Sequence, residues 1–265
     1  MYKMSVPIIQ GGMGVGISMG SLAGAVAAEG GMGVISTANI GFREKDFWSN
    51  PQEANCRALE KEIRRAREIS DGKGLIAVNA MVATKNFAEM VKVAVKSGID
   101  AVISGAGLPL NLPDLVDDKT LIAPIVSGKR AASLLMRTWK SKHGRSPDFL
   151  VVEGSKAGGH LGFKKEELIE GRESKLEDII SDVTSVAMGI SVFGAGGIFD
   201  SEDIKTIKDR GAAGVQIATR FIATQECDAS QGYKDRILSA KSEDVKIITS
   251  PVGMPGRALN SPLIK

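Results

Sequence analysis

Two histidines occur in this chain of 265 residues, and one of them sits among residues that could use it. His160 closes the run Glu153-Gly-Ser-Lys-Ala-Gly158-Gly-His160. Imidazole is the side chain best suited to moving protons near neutral pH. A lone histidine can also be purely structural, so its surroundings decide. Two other glycine-bearing runs matter here. Gly194-Ala-Gly196-Gly197-Ile198 offers backbone N–H groups with no Cβ in the way, and Gln216-Ile217-Ala218-Thr219 offers a second run of amides and a hydroxyl. Together they could cradle a phosphate group. Tight turns would use the same glycines, and Asp200, Glu202 and Asp203 just beyond would sit poorly beside an anion. No Gly-x-Ser-x-Gly elbow is present, and neither Cys56 nor Cys227 has a base in sequence reach, so no side-chain nucleophile suggests itself. No second histidine or carboxylate cluster joins His160, which argues against a metal. The chemistry is best carried by a cofactor.

Positioning these residues takes a framework of strands and helices. Short apolar runs end at turn signals over residues 6–9, 33–36, 75–78, 101–103, 121–126, 149–152, 191–193 and 214–217. Such near-continuous runs are the pattern of buried parallel strands. Helical patterns fall between them at 18–28, 53–70, 86–96, 129–142, 176–188 and 201–209, several stopped by glycine. The connection after 101–103 is short and carries proline, so its helix is the weakest. Eight strands with right-handed crossovers predict a (β/α)₈ TIM barrel, with a doubly wound open sheet as the alternative. A barrel places its active site at the C-terminal ends of the strands, where Gln10-Gly-Gly12-Met13, Asn79, Ser104, Ser127, His160 and both glycine runs all fall. The loops after strands seven and eight are the usual phosphate site of such barrels. His143 follows a helix in Lys-His-Gly-Arg and is expected to be exposed at the opposite face. Residues 1–225 form the predicted barrel. Residues 226–265 form a C-terminal extension, expected to begin a lid or cap that is incomplete here, with 251–257 as an ordered turn.

Composition narrows the classes. The net charge of +3 is too small to imply a nucleic-acid partner, and no run approaches the length of a membrane span. The basic run from Arg57 to Arg67 alternates with Glu60, Glu62 and Glu68 and predicts a solvated helix face. Two cysteines without ligand or disulfide spacing, and an N-terminus without a signal-peptide pattern, fit a reduced cytoplasmic setting. The expected partner is a small-molecule substrate, with a homodimer left open.

Pro7-Ile-Ile-Gln-Gly-Gly-Met-Gly, Val78-Asn79, Val152 to His160, Gly194-Ala-Gly-Gly-Ile and Gly214 to Phe221 together resemble the nitronate monooxygenase (2-nitropropane dioxygenase) family, which includes flavin-dependent enoyl-ACP reductases. The resemblance runs from about residue 5 to 257. It implies FMN as cofactor. Gly12 and Met13 would lie against the isoalloxazine, Asn79 would hydrogen-bond it, and Glu153 and Gly158 would line its site. Gly196, Gly197, Gln216, Ile217, Ala218 and Thr219 would hold the phosphate. The histidine matching His160 would take the substrate α-proton in a monooxygenase, or position the acyl substrate in a reductase that uses NADH or NADPH. Ala218 departs from the glycine common at that position, and the chain ends sooner than family members usually do. A non-redox phosphate-binding barrel of the IMP dehydrogenase type fits less well, because it would need a cysteine where Gly-Gly-His stands. A non-catalytic flavin-binding protein is the remaining alternative.

Overall fold

A computed structural model describes residues 4–250 and 253–261. Eight parallel strands close into a barrel: β1 (Ile8–Gln10), β2 (Met32–Ser36), β3 (Leu75–Met81), β4 (Ala101–Gly105), β5 (Leu121–Val126), β6 (Phe149–Glu153), β8 (Ser191–Ala195) and β9 (Gly214–Ile217). A short strand β7 (Gly159–His160) lies outside the barrel. Pairing of Gln10 with Ile217 and of Ile9 with Gln216 joins the last strand to the first. The open-sheet alternative is thereby excluded.

Side-chain alternation along each strand divides the core in two. Ile9, Val34, Ala77, Ile103, Ala123, Val151, Phe193 and Ala195 belong to a cluster that fills the barrel. Near its base Phe149 and Phe193 meet edge to face, their centroids 5.6 Å apart. The intervening residues, among them Ile35, Val78, Val102, Leu150, Val152, Val215 and Ile217, pack outward under the helices. Both faces are buried, so these strands read as unbroken apolar runs.

The crossover helices are α1 (Gly20–Ala28), α2 (Pro51–Ser70), α3 (Phe87–Lys96), α4 (Lys129–His143), α6 (Leu176–Thr184) and α7 (Ser201–Asp209), with the shorter α5 (Lys165–Glu170) ahead of α6 and α8 (Thr219–Ile222) after β9. After β4 the crossover is a single 3₁₀ turn, Leu112–Leu115. Trp139 on α4 is fully buried and donates from Nε1 to the carbonyl of Pro109 (3.0 Å), fixing that helix-poor connection. At the base, Asp100 and Asp148 each accept a strand-start N–H, from Ile76 and Ile122 (2.8 Å each). These bonds tie the strand starts together for stability, leaving the opposite end of the barrel for chemistry.

Two local expectations change. Glu62 does not lie on a solvated face. It is buried, and its Oε2 accepts the N–H of Gly20 (2.8 Å) at the start of α1. His143 is not free in solvent either: its Nδ1 lies 2.7 Å from Asp114 Oδ1, and 11% of its side chain is exposed. In both cases the tertiary neighbour is remote in sequence and leaves no periodic trace.

The extension is knit into the barrel. Asp228 Oδ2 accepts the N–H groups of Met19 (3.0 Å) and Leu22 (3.3 Å), so a residue from beyond the last strand caps α1. Cys227 is buried with Leu22 and Ile222. Helix α9 (Gln231–Ser239) follows, and then the antiparallel strands β10 (Val245–Thr249) and β11 (Pro255–Leu259). Their connection closes with Ser250 N–H donating to the carbonyl of Met254 (2.8 Å). Of the expected turn, Pro251 and Val252 lie outside the described residues, and residues 255–257 are strand. Among the described residues no helix is long and apolar enough to cross a membrane, and no three metal-ligating side chains cluster.

Candidate active site

His160 is held by sequence-distant backbone. Strand β7 pairs antiparallel with β11, setting His160 opposite Gly256 and Gly159 opposite Arg257. The next amide, Leu161 N–H, donates to the carbonyl of Pro255 (2.8 Å). Leu161 is buried in a small cluster with Ala157 and Leu168, against which Ile247 of β10 packs. Neighbouring side chains in an extended segment point to opposite sides, so anchoring Leu161 turns His160 the other way. Its Nε2 is buried and has no hydrogen-bond partner among the described residues. A buried imidazole nitrogen without a protein partner is free to bond a bound molecule; His143 Nε2 is in the same state, and it is the placement of His160 beside the strand-end loops that distinguishes the two.

The start of the same loop is clamped as well. Arg257 donates from Nε (3.3 Å) and Nη2 (3.0 Å) to the carbonyl of Ser155. Both ends of residues 154–161 therefore hang on β11. Beyond them, Gly162 packs so tightly on Ser127, at the end of β5, that a Cβ on it would meet Ser127 Oγ at 2.3 Å.

Gly196 and Gly197 have φ of +97° and +82°, a conformation open mainly to glycine. A Cβ on Gly196 would meet Ala157 N and Gly154 O at 3.0 Å. The β8 loop thus lies directly under the histidine loop. Helix α7 beyond it is self-capped: Asp200 Oδ1 accepts the N–H groups of Glu202 and Asp203 (3.0 Å each), and Asp203 Oδ2 accepts from Phe199 (2.7 Å). The amides of Phe199, Asp200, Glu202 and Asp203 are thereby engaged, whereas those of Gly196 and Gly197 have no partner among the described residues. The adjacent loop after β9 carries Ala218 and the exposed Thr219. Gly11 N–H donates to the carbonyl of Ile217 (2.8 Å), and a Cβ on Gly11 would touch Ala218 Cβ at 3.2 Å, so the β1 loop completes this side.

Across the mouth, a Cβ on Gly12 would fall 2.4 Å from Asn79 Cβ. Backbone here approaches the strand-three side chain as closely as only glycine permits. The Asn79 carboxamide makes no hydrogen bond among the described residues, and its backbone carbonyl accepts Thr37 N–H (3.1 Å). Glu153 ends β6, directly opposite Ala195. It follows the inward-facing Val151 by two, so it points into the mouth. Part of its surface reaches solvent, yet burial pushes the carboxyl up to about 8. Burial therefore favours its neutral form near pH 7.

The remaining expected site residues divide by orientation. Gly158 has open space beside it. The Gln216 side chain faces the barrel interior, its Oε1 buried and unpartnered among the described residues. Ile217 packs outward, so only its backbone borders the loop. The Met13 side chain packs toward Leu22, Ile222 and Cys227, and its N–H donates to Ser18 Oγ (2.7 Å). What Met13 adds to the mouth is chiefly backbone. The grip of Arg257 on the histidine loop and the cap from Asp228 were not visible in the sequence; proline, glycine and arginine together near the C-terminus were the one available signal.

The family model described as nitronate monooxygenase matches residues 1–265. The chain belongs to the nitronate monooxygenase family. Among its relatives, a (3aS,4S,5R,7aS)-5-hydroxy-7a-methyl-1-oxo-octahydro-1H-indene-4-carboxyl-CoA dehydrogenase of Mycobacterium tuberculosis is 26% identical over 98% of this chain and 64% of its own. The chain thus spans just under two thirds of that relative's length. A probable nitronate monooxygenase of Staphylococcus saprophyticus is 25% identical over the whole chain and 78% of its own. Among solved structures, FabK from Thermotoga maritima superposes with a TM-score of 0.79 at 27% identity, covering 99% of this chain and 74% of its own. The barrel described above is therefore shared with FabK over nearly the whole of this chain.

Proposed function

We propose that this chain is an FMN-dependent oxidoreductase that oxidises nitronates or related small carbon acids with oxygen. The observation that carries the reading is the orphaned Nε2 of His160, held at the same barrel mouth as the positive-φ pair Gly196–Gly197. The residues fit the cofactor. Gly196, Gly197, Ala218 and Thr219 would hold the phosphate through amides and a hydroxyl, with Gln216 and Ile217 shaping that loop. Gly12, the Met13 backbone, Asn79, Glu153 and Gly158 would border the ring. Bound FMN would supply the electron acceptor and the path to oxygen.

The chain's own residues supply the rest. His160 Nε2 accepts the α-proton of a neutral nitroalkane, and the β7–β11 ladder holds it in place to do so. Glu153 stays protonated below about pH 8, so it places no negative charge in the mouth where an anionic nitronate must bind. A pre-ionised nitronate needs no base, which separates the role of His160 from binding.

A second reading, NAD(P)H-dependent reduction of an activated alkene such as an enoyl thioester, is supported by the likeness to FabK. The two are separated by a visible spectrum of the purified protein followed by anaerobic mixing. Bleaching of the flavin by a nitronate supports the first reading. Bleaching by NADH or NADPH with none by a nitronate supports the second, and a colourless protein that cannot be reconstituted with FMN refutes both.

A further inference from the structure

We propose that Lys156 is a cofactor-phosphate ligand that makes this chain discriminate FMN from riboflavin; the inference rests on the FMN reading above. Lys156 lies in the loop between β6 and β7, two residues beyond Gly154. Its side chain does not extend away from the protein. A Cβ placed on Gly197 would meet Lys156 Cβ at 2.8 Å and Cδ at 3.0 Å, so the lysine stem is folded over that glycine. Nζ is two bonds beyond Cδ, which leaves the ammonium within reach of an anion seated on the Gly196 and Gly197 amides.

The neighbouring charges single out this lysine. Arg220 is already committed: its Nη1 donates to the carbonyl of Phe199 (3.0 Å), and its guanidinium lies 4.3 Å from the centre of the Phe199 ring. Arg257 is committed to Ser155. Lys156 makes no ion pair or hydrogen bond among the described residues, and it is solvent-exposed. Meanwhile the first turn of α7 places Asp200, Glu202 and Asp203 a few residues beyond Gly197. A phosphate dianion beside three carboxylates needs a cation, because amides alone supply partial charges. An uncommitted lysine stem lying on the nest meets that need. A Cβ on Gly197 would displace the lysine as well as strain the backbone.

The test compares affinities for FMN and for riboflavin, which share the ring and differ by the phosphate. Flavin fluorescence quenching gives both dissociation constants for the apoprotein of the parent, Lys156→Met and Lys156→Arg. Loss of one charge-assisted contact should weaken FMN binding about 10-fold in Lys156→Met. Riboflavin binding should not change, and Lys156→Arg should restore most of the preference. The parent's preference should also shrink with added salt more than the variant's does. An unchanged FMN-to-riboflavin ratio in Lys156→Met, or an equal loss for both flavins, overturns the assignment while leaving the FMN reading standing. A parent that binds both flavins alike overturns the phosphate site itself, and the assignment of Lys156 with it.

Discussion

Arg257→Met should loosen the histidine loop without unfolding the barrel. Methionine keeps much of the aliphatic stem but removes both donors to the Ser155 carbonyl, at 3.3 and 3.0 Å. Hydrogen bonds from a charged donor contribute about 1.5–3 kcal/mol. The antiparallel pairing of Gly159 with residue 257 and of His160 with Gly256 uses backbone and survives the change. The loss therefore falls on local opening of residues 154–161 rather than on global stability. Hydrogen exchange followed by mass spectrometry of peptides spanning that loop reads it directly. Exchange there should accelerate about 10- to 100-fold, the Boltzmann equivalent of the lost contacts, while peptides from β2 to β5 stay protected. Turnover should fall with FMN still bound, and Arg257→Lys should recover part of both. Unchanged exchange in the loop would refute the idea that Arg257 holds it, and uniform acceleration across the barrel would show a merely structural role.

Three other outcomes are expected. Gly197→Asp should weaken FMN binding more than it lowers Tm: forcing a side chain to φ +82° costs about 1–2 kcal/mol, and the added carboxylate then repels the phosphate, so Gly197→Ala, which adds the same strain and crowding of Lys156 without the charge, serves as the control in a binding titration. Glu153→Gln should gain stability relative to the parent as pH rises. The folded carboxyl titrates near 8 and the unfolded one near 4.5, so the parent carries no penalty below 4.5, loses stability as pH climbs from 4.5 to about 8, and is flat above that; thermal melts across the window show the difference, and parallel curves would refute it. Asp228→Ala should cost about 1–2 kcal/mol by uncapping α1, a fall in Tm of several degrees with the flavin retained, measured by calorimetry.

Much of this architecture was legible in local chemistry. Leu121–Val126 and Gly214–Ile217 are strands over the same residues as their apolar runs, and Ser201–Asp209 is capped at Asp200 and stops before Gly211. Strand ends elsewhere were extended by polar or small residues such as Asn79, Gly105, Glu153 and Ala195, which apolar runs do not predict. Because those residues line the mouth, the extension of the strands and the location of the site are the same fact. Pairings across long separations left no local mark. Glu62 at Gly20, Asp228 at Met19 and Arg257 at Ser155 each satisfy a backbone group, and nothing in their own neighbourhood announces it. The strand character of residues 159–160 was hidden for the same reason: a two-residue strand exists only because β11 lies beside it.

His160 is the proposed base at a flavin-bearing mouth. The direct measurement is steady-state oxidation of one nitroalkane, offered both neutral and pre-ionised, by the parent and by His160→Asn with FMN content checked by absorbance. The variant should retain FMN and lose about 10²–10⁴-fold on the neutral substrate, with a much smaller loss on the nitronate. Equal activity of parent and variant on both forms, with FMN bound in each, would contradict it.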